Sequence, residues 1–301
     1  MDRLRALEVF VEVVRKEGFA RAAEALDTSP ANVTRYISDL EAHLNTRLLN
    51  RSSRKMSLTP SGEALFERAR SILEDVQEAE AIVSSAALQP HGTLRINAPL
   101  SFGVLHLAPL WPRFAERYPD VKLEISLVDR VVDIVEEGFD MAIRISRAGA
   151  AGNVARKLTT ARNVVCAAPD YLRRHGTPLA PAELPQHRCI VYANNGVADE
   201  WPFLDAAGKP HHIKVQAALQ TNNGDTARAA ALAGMGIIWQ PTFLVGEDLR
   251  AGRLVQLMPG WSLPDIDVLA VYPSRRHLSA RVRVMIDFLA EAFMDVPPWE
   301  R

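Results

Sequence analysis

The stretch FARAAEALDTSPANVTRYISDLE, Phe19 to Glu41, leaves the local backbone few choices. Ala22, Ala23 and Leu26 share one face of a short helix, and Val33, Ile37, Leu40 and Leu44 recur at spacings of four, three and four, the stripe of a second. Between them sits Asp27-Thr28-Ser29-Pro30. Asp tolerates a left-handed turn, Ser29 suits the cap of the next helix, and Pro30 suits its first position. The small Ala22 and Ala23 let two helices cross closely, and the short turn leaves the outer face of the second helix free. Such a pair is either an ordinary helical hairpin or a helix-turn-helix whose second helix enters a DNA major groove. The neighbouring segments decide between the two.

Upstream, Asp2 is placed to cap a first helix whose buried stripe is expected at Leu4, Leu7, Phe10 or Val11, and Val14, with Gly18 ending it. Downstream, AHLNTRLLNRSSRKMSLTPSG carries Arg47, Arg51, Arg54 and Lys55 and no acidic residue before Glu63. RLLNR and KMSLT are short strand candidates joined by Ser52-Ser53-Arg54. A two-stranded wing of this kind sets cations against the phosphates flanking a groove, where each contact releases counterions and makes affinity salt-dependent. Thr59-Pro60 then starts a long helix in which Leu65, Ala69, Ile72, Val76, Ala79, Val83 and Ala86 repeat at alternating spacings of four and three. That is a heptad seam, which predicts pairing with a second copy, and a pair suits a reader of two DNA half-sites.

A length of 301 residues suits two or three domains. The formal net charge of −1 requires any nucleic-acid surface to be local. No apolar run reaches membrane-spanning length, and the N-terminus alternates charged and apolar residues at helical spacing, unlike a secretory signal. A cytoplasmic protein is expected. Cys166 and Cys189 are too few for a metal or disulfide framework and lie in apolar runs, where buried thiols are the default. HExxH, GxSxG and P-loop patterns are absent, and Gly234-Met235-Gly236 fails as a dinucleotide fingerprint because Trp239 stands at its third glycine. No cofactor, no metal and no enzymatic activity are expected.

Gln89-Pro90-His91-Gly92 breaks the long helix, and short apolar strands alternating with helices follow: TLRINA, KLEISLV, FDMAIRI, NVVCAA, CIVYA, MGIIWQ and DVLAVY among them. This texture predicts α/β layers with mostly parallel sheets, which bind ligands at the carboxyl ends of strands and at helix N-termini.

LRALEVFVEVV, AAEALDTSPANVTRYISDLE and, most specifically, RLLNRSSRKMSLTPSGEAL resemble the N-terminal domain of LysR-type transcriptional regulators. GTLRINAP, RYPDVKLEISL, GFDMAIRI, CAAPDYL, NNGDTARAAALAGMGI and GRLVQL match the family's effector domain in the same order, most closely the branch often called CrgA-like. The resemblance covers essentially the whole chain. It implies an α/β protein with a winged helix-turn-helix over 1–59, a dimerising linker helix over 60–90, and a two-subdomain effector domain, similar to periplasmic binding proteins, over 91–301. One subdomain is placed at 91–159 with 267–301 and the other at 160–266. It further implies promoter DNA and a small organic effector as partners, a homodimer through the linker helix, a homotetramer, and DNA bending that changes when the cleft is occupied. Three departures stand out: Asp27 where the family often has Gly, Thr34 for the commoner Ser, and Gly18 running directly into Phe19 without a hydroxyl cap. A competing reading, a solute-binding protein or enzyme on the same two-lobed fold, has no use for the basic wing or the heptad seam.

Ser29, Pro30, Asn32, Thr34 and Arg35 lie at the start of the recognition helix. Arg35 is the first choice to pair bidentately with guanine, and Asn32 to read adenine. Arg51 and Arg54 are the wing's phosphate or minor-groove candidates. In the second half, Leu100, Ser101 and Phe102 join a strand to a helix, where backbone N–H groups and the Ser101 hydroxyl suit a carboxylate or other anion, with Arg144 as countercharge. By family analogy Thr221, Asn222 and Asn223 face the same cleft. The alternatives are that Ser101 and Thr221 merely cap helices and that Arg144 sits in a structural pair.

Overall fold

The structure is a computed structural model that describes residues 2–51, 56–83, 90–146, 154–193, 199–273, 278–294 and 296–300. It contains two compact units, one of residues 1–92 with 135–138 and the other of residues 93–134 with 139–301.

The first unit is built on α1 (Arg3–Arg15), α2 (Phe19–Ala25) and α3 (Pro30–Leu44). Asp2 caps α1 by accepting the Arg5 backbone N–H at 3.1 Å. The buried face of α1 is Ala6, Val9, Phe10 and Val13 with Val11, while Leu4 is 41% exposed and Leu7 and Val14 are half-buried. The expected stripe is therefore rotated. Because α1 packs against α2, α3 and α4 together, its contact face is broad and centres on the positions three and four apart that point among all three. Asp27 takes the left-handed conformation at φ +47°, and the Ser29 hydroxyl accepts the Asn32 N–H at 3.2 Å, so the turn and cap form as the sequence predicts. Val33, Ile37 and Leu40 of α3 are buried, but Leu44, at the last turn, is exposed.

A wing follows from β1 (Leu49–Arg51) and β2 (Met56–Leu58), antiparallel with Leu49 opposite Leu58. Glu41 Oε1 accepts the N–H groups of Leu48 and Leu49 at 2.8 and 3.2 Å, tying the wing to the end of α3. The long helix α4 (Pro60–Val83) is capped by the Thr59 hydroxyl, which accepts the Gly62 N–H at 3.0 Å. A Cβ on Gly62 would lie 2.0 Å from the Leu48 carbonyl oxygen, so only glycine lets the wing strand pass this close. Of the heptad seam, Leu65 packs on this unit's own core and Ala69 is fully buried, whereas Ile72 is exposed. The side chains of Ala79 and Val83, and Ala86 itself, lie outside the described residues.

The second unit holds two five-stranded sheets. Its elements run β3 (Gly92–Ala98), α5 (Leu100–Phe102) continuing through one π turn and one 3-10 turn into α6 (Trp111–Arg117), β4 (Val121–Leu127), β5 (Met141–Ser146), β6 (Val154–Ala161) and β7 (Asn163–Ala167). Then come α7 (Pro169–His175), β8 (Arg188–Tyr192), the hairpin β9 (Glu200–Leu204) and β10 (Pro210–Lys214), β11 (Gln216–Thr221), α8 (Gly224–Leu232), β12 (Ile237–Pro241) and α9 (Thr242–Arg250). β13 (Val255–Gln256), β14 (Ile266–Tyr272) and α10 (Ala280–Ala292) complete it. The first sheet has the order β4-β3-β5-β14-β6 and the second β11-β8-β12-β7-β13.

These sheets are mixed rather than mostly parallel. β3 pairs with β5, and β8 with β11 and β12, in parallel; β14 and β7 run antiparallel to their neighbours. β7 and β14 are the strands by which the chain enters one sheet from the other, and only Arg162 separates β6 from β7. A strand arriving from the opposite sheet needs no crossover helix and enters against the local direction. At the start of the helical segment, a Cβ on Gly103 would meet Leu127 Cδ2 at 2.4 Å, so this glycine sets how closely that segment approaches β4. Cys166 and Cys189 are buried in the second sheet, and burial pushes the Cys166 thiol well up and that of Cys189 up to about 12. Both are neutral and inert as nucleophiles.

The fully buried Asp248 of α9 accepts from Arg228 and Arg253, the latter through Nε at 2.7 Å. Burial pushes its carboxyl up, but the hydrogen bonds from the two guanidinium groups outweigh this and hold it below the usual range. A depressed carboxyl stabilises the fold above its unfolded pKa, and that contribution is lost as the pH falls through the folded value. Asp248→Asn is expected to cost about 2–3 kcal/mol near neutral pH, less than for a fully buried pair because both arginines reach solvent. Differential scanning calorimetry should show Tm lowered by about 5–10 °C, with the gap to wild type closing below about pH 4. An unchanged Tm contradicts this role.

Candidate DNA-binding surface and ligand cleft

In α3 the alternation of burial sets the chemistry. Val33 and Ile37 are fully buried, which turns Asn32, Thr34 and Arg35 to solvent, with Ser29 and Pro30 exposed at the helix start. Asn32 Nδ2 donates to the Thr28 hydroxyl at 3.3 Å, and the Thr34 hydroxyl donates to the Pro30 carbonyl at 2.9 Å. Thr34 thus keeps only acceptor capacity outward, whereas Asn32 retains its carbonyl and a second N–H. The Arg35 guanidinium lies 5.8 Å from the Tyr36 ring centroid, a contact that limits its wandering while leaving its donors available. Ser38, one turn further along, is exposed too and was not among the sequence candidates. Arg51 belongs to β1, but its side chain lies outside the described residues, as does the whole of Arg54.

In the second unit a cavity of about 370 Å³ lies where the carboxyl ends of β3 and β12 meet the starts of α5 and α9. Ser101, Phe102 and Arg144 line it; Leu100, Thr221, Asn222 and Asn223 do not. Arg144 is braced within its own lobe, donating to Asn97 Oδ1 at 2.7 Å and to the Val132 carbonyl at 2.9 Å. Asn223 caps α8 by accepting the Thr226 N–H at 2.9 Å, and its own N–H donates to the Thr221 hydroxyl at 3.2 Å. Asn222 is exposed.

The two donors expected to hold an anion are already engaged by carboxylates of this chain. The Ser101 hydroxyl donates to Asp225 Oδ2 at 2.6 Å, across from the first lobe to α8 of the second. The Leu100 N–H donates to Asp129 Oδ1 at 3.0 Å, while Asp129 Oδ2 accepts from Asn223 Nδ2 at 3.2 Å. Charge-assisted bonds of this kind latch the two lobes together at one edge of the cavity. Behind it, Phe102 packs edge-on against Phe243 at 5.3 Å and Trp299 at 5.6 Å. His106 Nε2 bonds the Phe243 carbonyl at 2.8 Å, and burial holds its pKa below the usual histidine value, so it is a neutral packing residue. Asp129, Asp225 and Gln240 escaped the sequence reading. The available signals were an acid just past a strand end in SLVDR and a polar residue closing the apolar strand IIWQ.

Among the described residues, no group of His, Cys, Asp and Glu is arranged to hold a metal ion, and no helix is long and apolar enough to cross a membrane.

Comparison with known proteins agrees with this geometry. Residues 4–63 match the family described as bacterial regulatory helix-turn-helix protein, lysR family, and residues 87–294 match the LysR substrate binding domain. The chain is 38% identical over 299 residues to the HTH-type transcriptional regulator DmlR of Escherichia coli strain K12, covering 98% of this chain and 96% of that one. It is 36% identical over 287 residues to the HTH-type transcriptional regulator CrgA of Neisseria meningitidis serogroup C, covering 95% of each. The solved structure of CrgA, a LysR-type transcriptional regulator from Neisseria meningitidis, aligns with a TM-score of 0.62 at 34% identity over 97% of this chain and 99% of that one. An exposed recognition helix, a two-sheet ligand-binding unit and matches to both halves together place the chain in the LysR family of transcriptional regulators.

Proposed function

We propose that the protein binds promoter DNA through α3 and the wing, and alters that binding or the bending of the DNA when a small organic molecule occupies the cavity of its second unit. One observation carries the reading: a fold that fully buries Val33 and Ile37 leaves Asn32, Thr34 and Arg35 bare on the outer face of the same helix. In this reading Arg35 pairs with guanine in the major groove and Asn32 with adenine, Ser29 and Pro30 meet backbone or base edges, Thr34 accepts from a base-edge amino group, and Arg51 and Arg54 meet phosphates or the minor groove. Residues 1–59 form the DNA-binding domain, 60–90 the linker helix and 91–301 the effector domain. The exposed Ile72 begins the seam through which α4 pairs with that of a second copy, and two such dimers make a tetramer. Ser101, Phe102 and Arg144 contact the effector directly. Leu100, Thr221, Asn222 and Asn223 contribute by shaping the two helix starts beside it. The molecule is sensed and released unchanged, without enzymatic turnover.

Footprinting on the intergenic DNA upstream of the chain's own gene tests the DNA contacts. Arg35→Ala should weaken the specific site by about 10–100-fold, the value of one bidentate base pair contact, while leaving the oligomer intact. Arg54→Ala should weaken specific and random DNA alike and flatten the salt dependence by about one unit of slope. An unchanged Arg35→Ala footprint removes that residue from the reading. For the seam, Ile72→Lys should shift sedimentation toward smaller species and lose the paired footprint; an unaltered sedimentation profile rules out α4 as the dimer contact.

A further inference from the structure

The backbone between β4 and β5 passes from the second unit into the first and back. Residues 128–134 belong to the second unit, Val135–Gly138 to the first, and the second resumes at Phe139. Val128, Asp129, Arg130 and Val131 form one wall of the cavity, and Val131, although apolar, is 86% exposed. The residues that follow are anchored. Val132 and Ile134 are buried, and Ile134 packs with Ala142, Leu269 and Val271. The Ile134 carbonyl accepts the Phe139 N–H at 2.9 Å, which closes the base of a short loop.

Within the first unit the far side of this loop lies on α4. A Cβ added at Gly138 would come 3.7 Å from Glu67 Oε2 and 3.9 Å from Glu67 Cβ, and the Gly138 φ of +72° favours glycine. Phe66, next to Glu67 on α4, packs edge-on against Phe10 at 6.4 Å. Phe10 is fully buried in the core that also holds Val33 and Ile37 of α3. The backbone of residues 128–139 therefore leads from the cavity wall to the turn of α4 that packs beneath α3.

One side chain in the second unit sets how firmly that backbone is held. Arg144 lines the cavity, and its guanidinium donates from Nη1 to Asn97 Oδ1 at 2.7 Å and from Nη2 to the Val132 carbonyl at 2.9 Å. Asn97 is fully buried and donates to the Ser126 carbonyl at 3.3 Å, so one end of the guanidinium is fixed to the sheet. The other end holds the loop. An acceptor oxygen entering the cavity competes with the Val132 carbonyl for this group, and a charged oxygen makes the stronger bond.

Resting on the reading that this cavity holds the effector, we propose that residues 128–139 carry its occupancy to α4, with the Arg144–Val132 bond as the point on which the ligand acts. A ligand carboxylate draws the guanidinium from Val132, the base of the loop loosens, and the packing of residues 135–138 on α4 changes. Val135–Gly138 line no part of the cavity, yet the response requires them. Continuity of the backbone is not itself coupling, so the test has to measure coupling.

Hydrogen–deuterium exchange on the full chain does so. Arg144→Gln, too short to hold both acceptors, should raise exchange about fivefold in residues 132–139, the loss of one hydrogen bond. Exchange should rise in residues 63–70 of α4 as well, while α8, in the same unit as Arg144, stays at the wild-type rate. A merely structural role for Arg144 would do the reverse, loosening α8 and sparing α4. Arg144→Lys, which keeps the charge and reaches only one acceptor, carries the same test if the glutamine variant does not fold. Benzoate, a carboxylate on a ring suited to Phe102, Trp239 and Phe243, should reproduce the change in wild type and have no effect on Arg144→Gln. Gly138→Asn tolerates the left-handed backbone and sets a side chain against Glu67. On the upstream DNA, it and Arg144→Gln should each change affinity, and the double variant should match the larger single effect instead of their product. Unchanged exchange in residues 63–70, effects on DNA that multiply independently, or no response of wild type to benzoate overturns the proposal. The reading beneath it fails separately, if the exchange changes occur as stated but DNA footprints respond to no small molecule at all.

Discussion

The second unit depends on the way its chain crosses between two sheets at Arg162. The single residue between β6 and β7 commits one strand to each sheet, and its surroundings hold the crossing rigid. The Arg162 carbonyl accepts the N–H of Thr242, the first residue of α9, at 2.8 Å. Its guanidinium donates to Glu300 through Nε at 2.9 Å and Nη2 at 2.5 Å, and Glu300 also accepts from the Thr242 hydroxyl. The C-terminal segment is thereby strapped over the crossing, with Trp299 inserted among Phe102, His106, Phe243 and Phe293. Two sheets tied at one edge enclose a cavity where their strand ends face each other, and this is where the polar groups converge.

The latch at the cavity edge has a consequence for how such a unit responds. The bonds from Ser101 to Asp225 and from Asn223 to Asp129 join the lobes through the protein's own groups. A ligand that changes the relation of the lobes has to do so through a difference in affinity for the two arrangements, because equal affinity shifts nothing. In the proposed reading, an incoming acceptor competes with the protein's own carboxylates for the Ser101 hydroxyl and the Leu100 N–H.

Much of this was legible in the sequence, and the parts that were not share a cause. The turn at Asp27, the cap at Ser29, the wing strands and the start of α4 at Pro60 are set by residues within a few positions of one another, so local chemistry suffices. The face of α1 was misplaced because three partners pack on it, which no local pattern records. The antiparallel β7 and β14 were missed because strand direction depends on which sheet the chain has just left. Ser101 lines the cavity, but its proton goes to Asp225, 124 positions away, a pairing invisible without the fold. Arg144 likewise lines the cavity while braced by Asn97 and Val132.

The central claim is that occupancy of this cavity governs DNA binding. Val128 lines the cavity without taking part in the latch, so Val128→Trp fills the space while leaving α3 untouched. The direct measurement is a footprint of wild type and Val128→Trp on the upstream DNA, with and without the small-molecule fraction of the source cell. The account predicts that the wild-type footprint changes when the fraction is added and that the Val128→Trp footprint, present in both conditions, does not. Equal changes in both proteins, or no change in either, would contradict it.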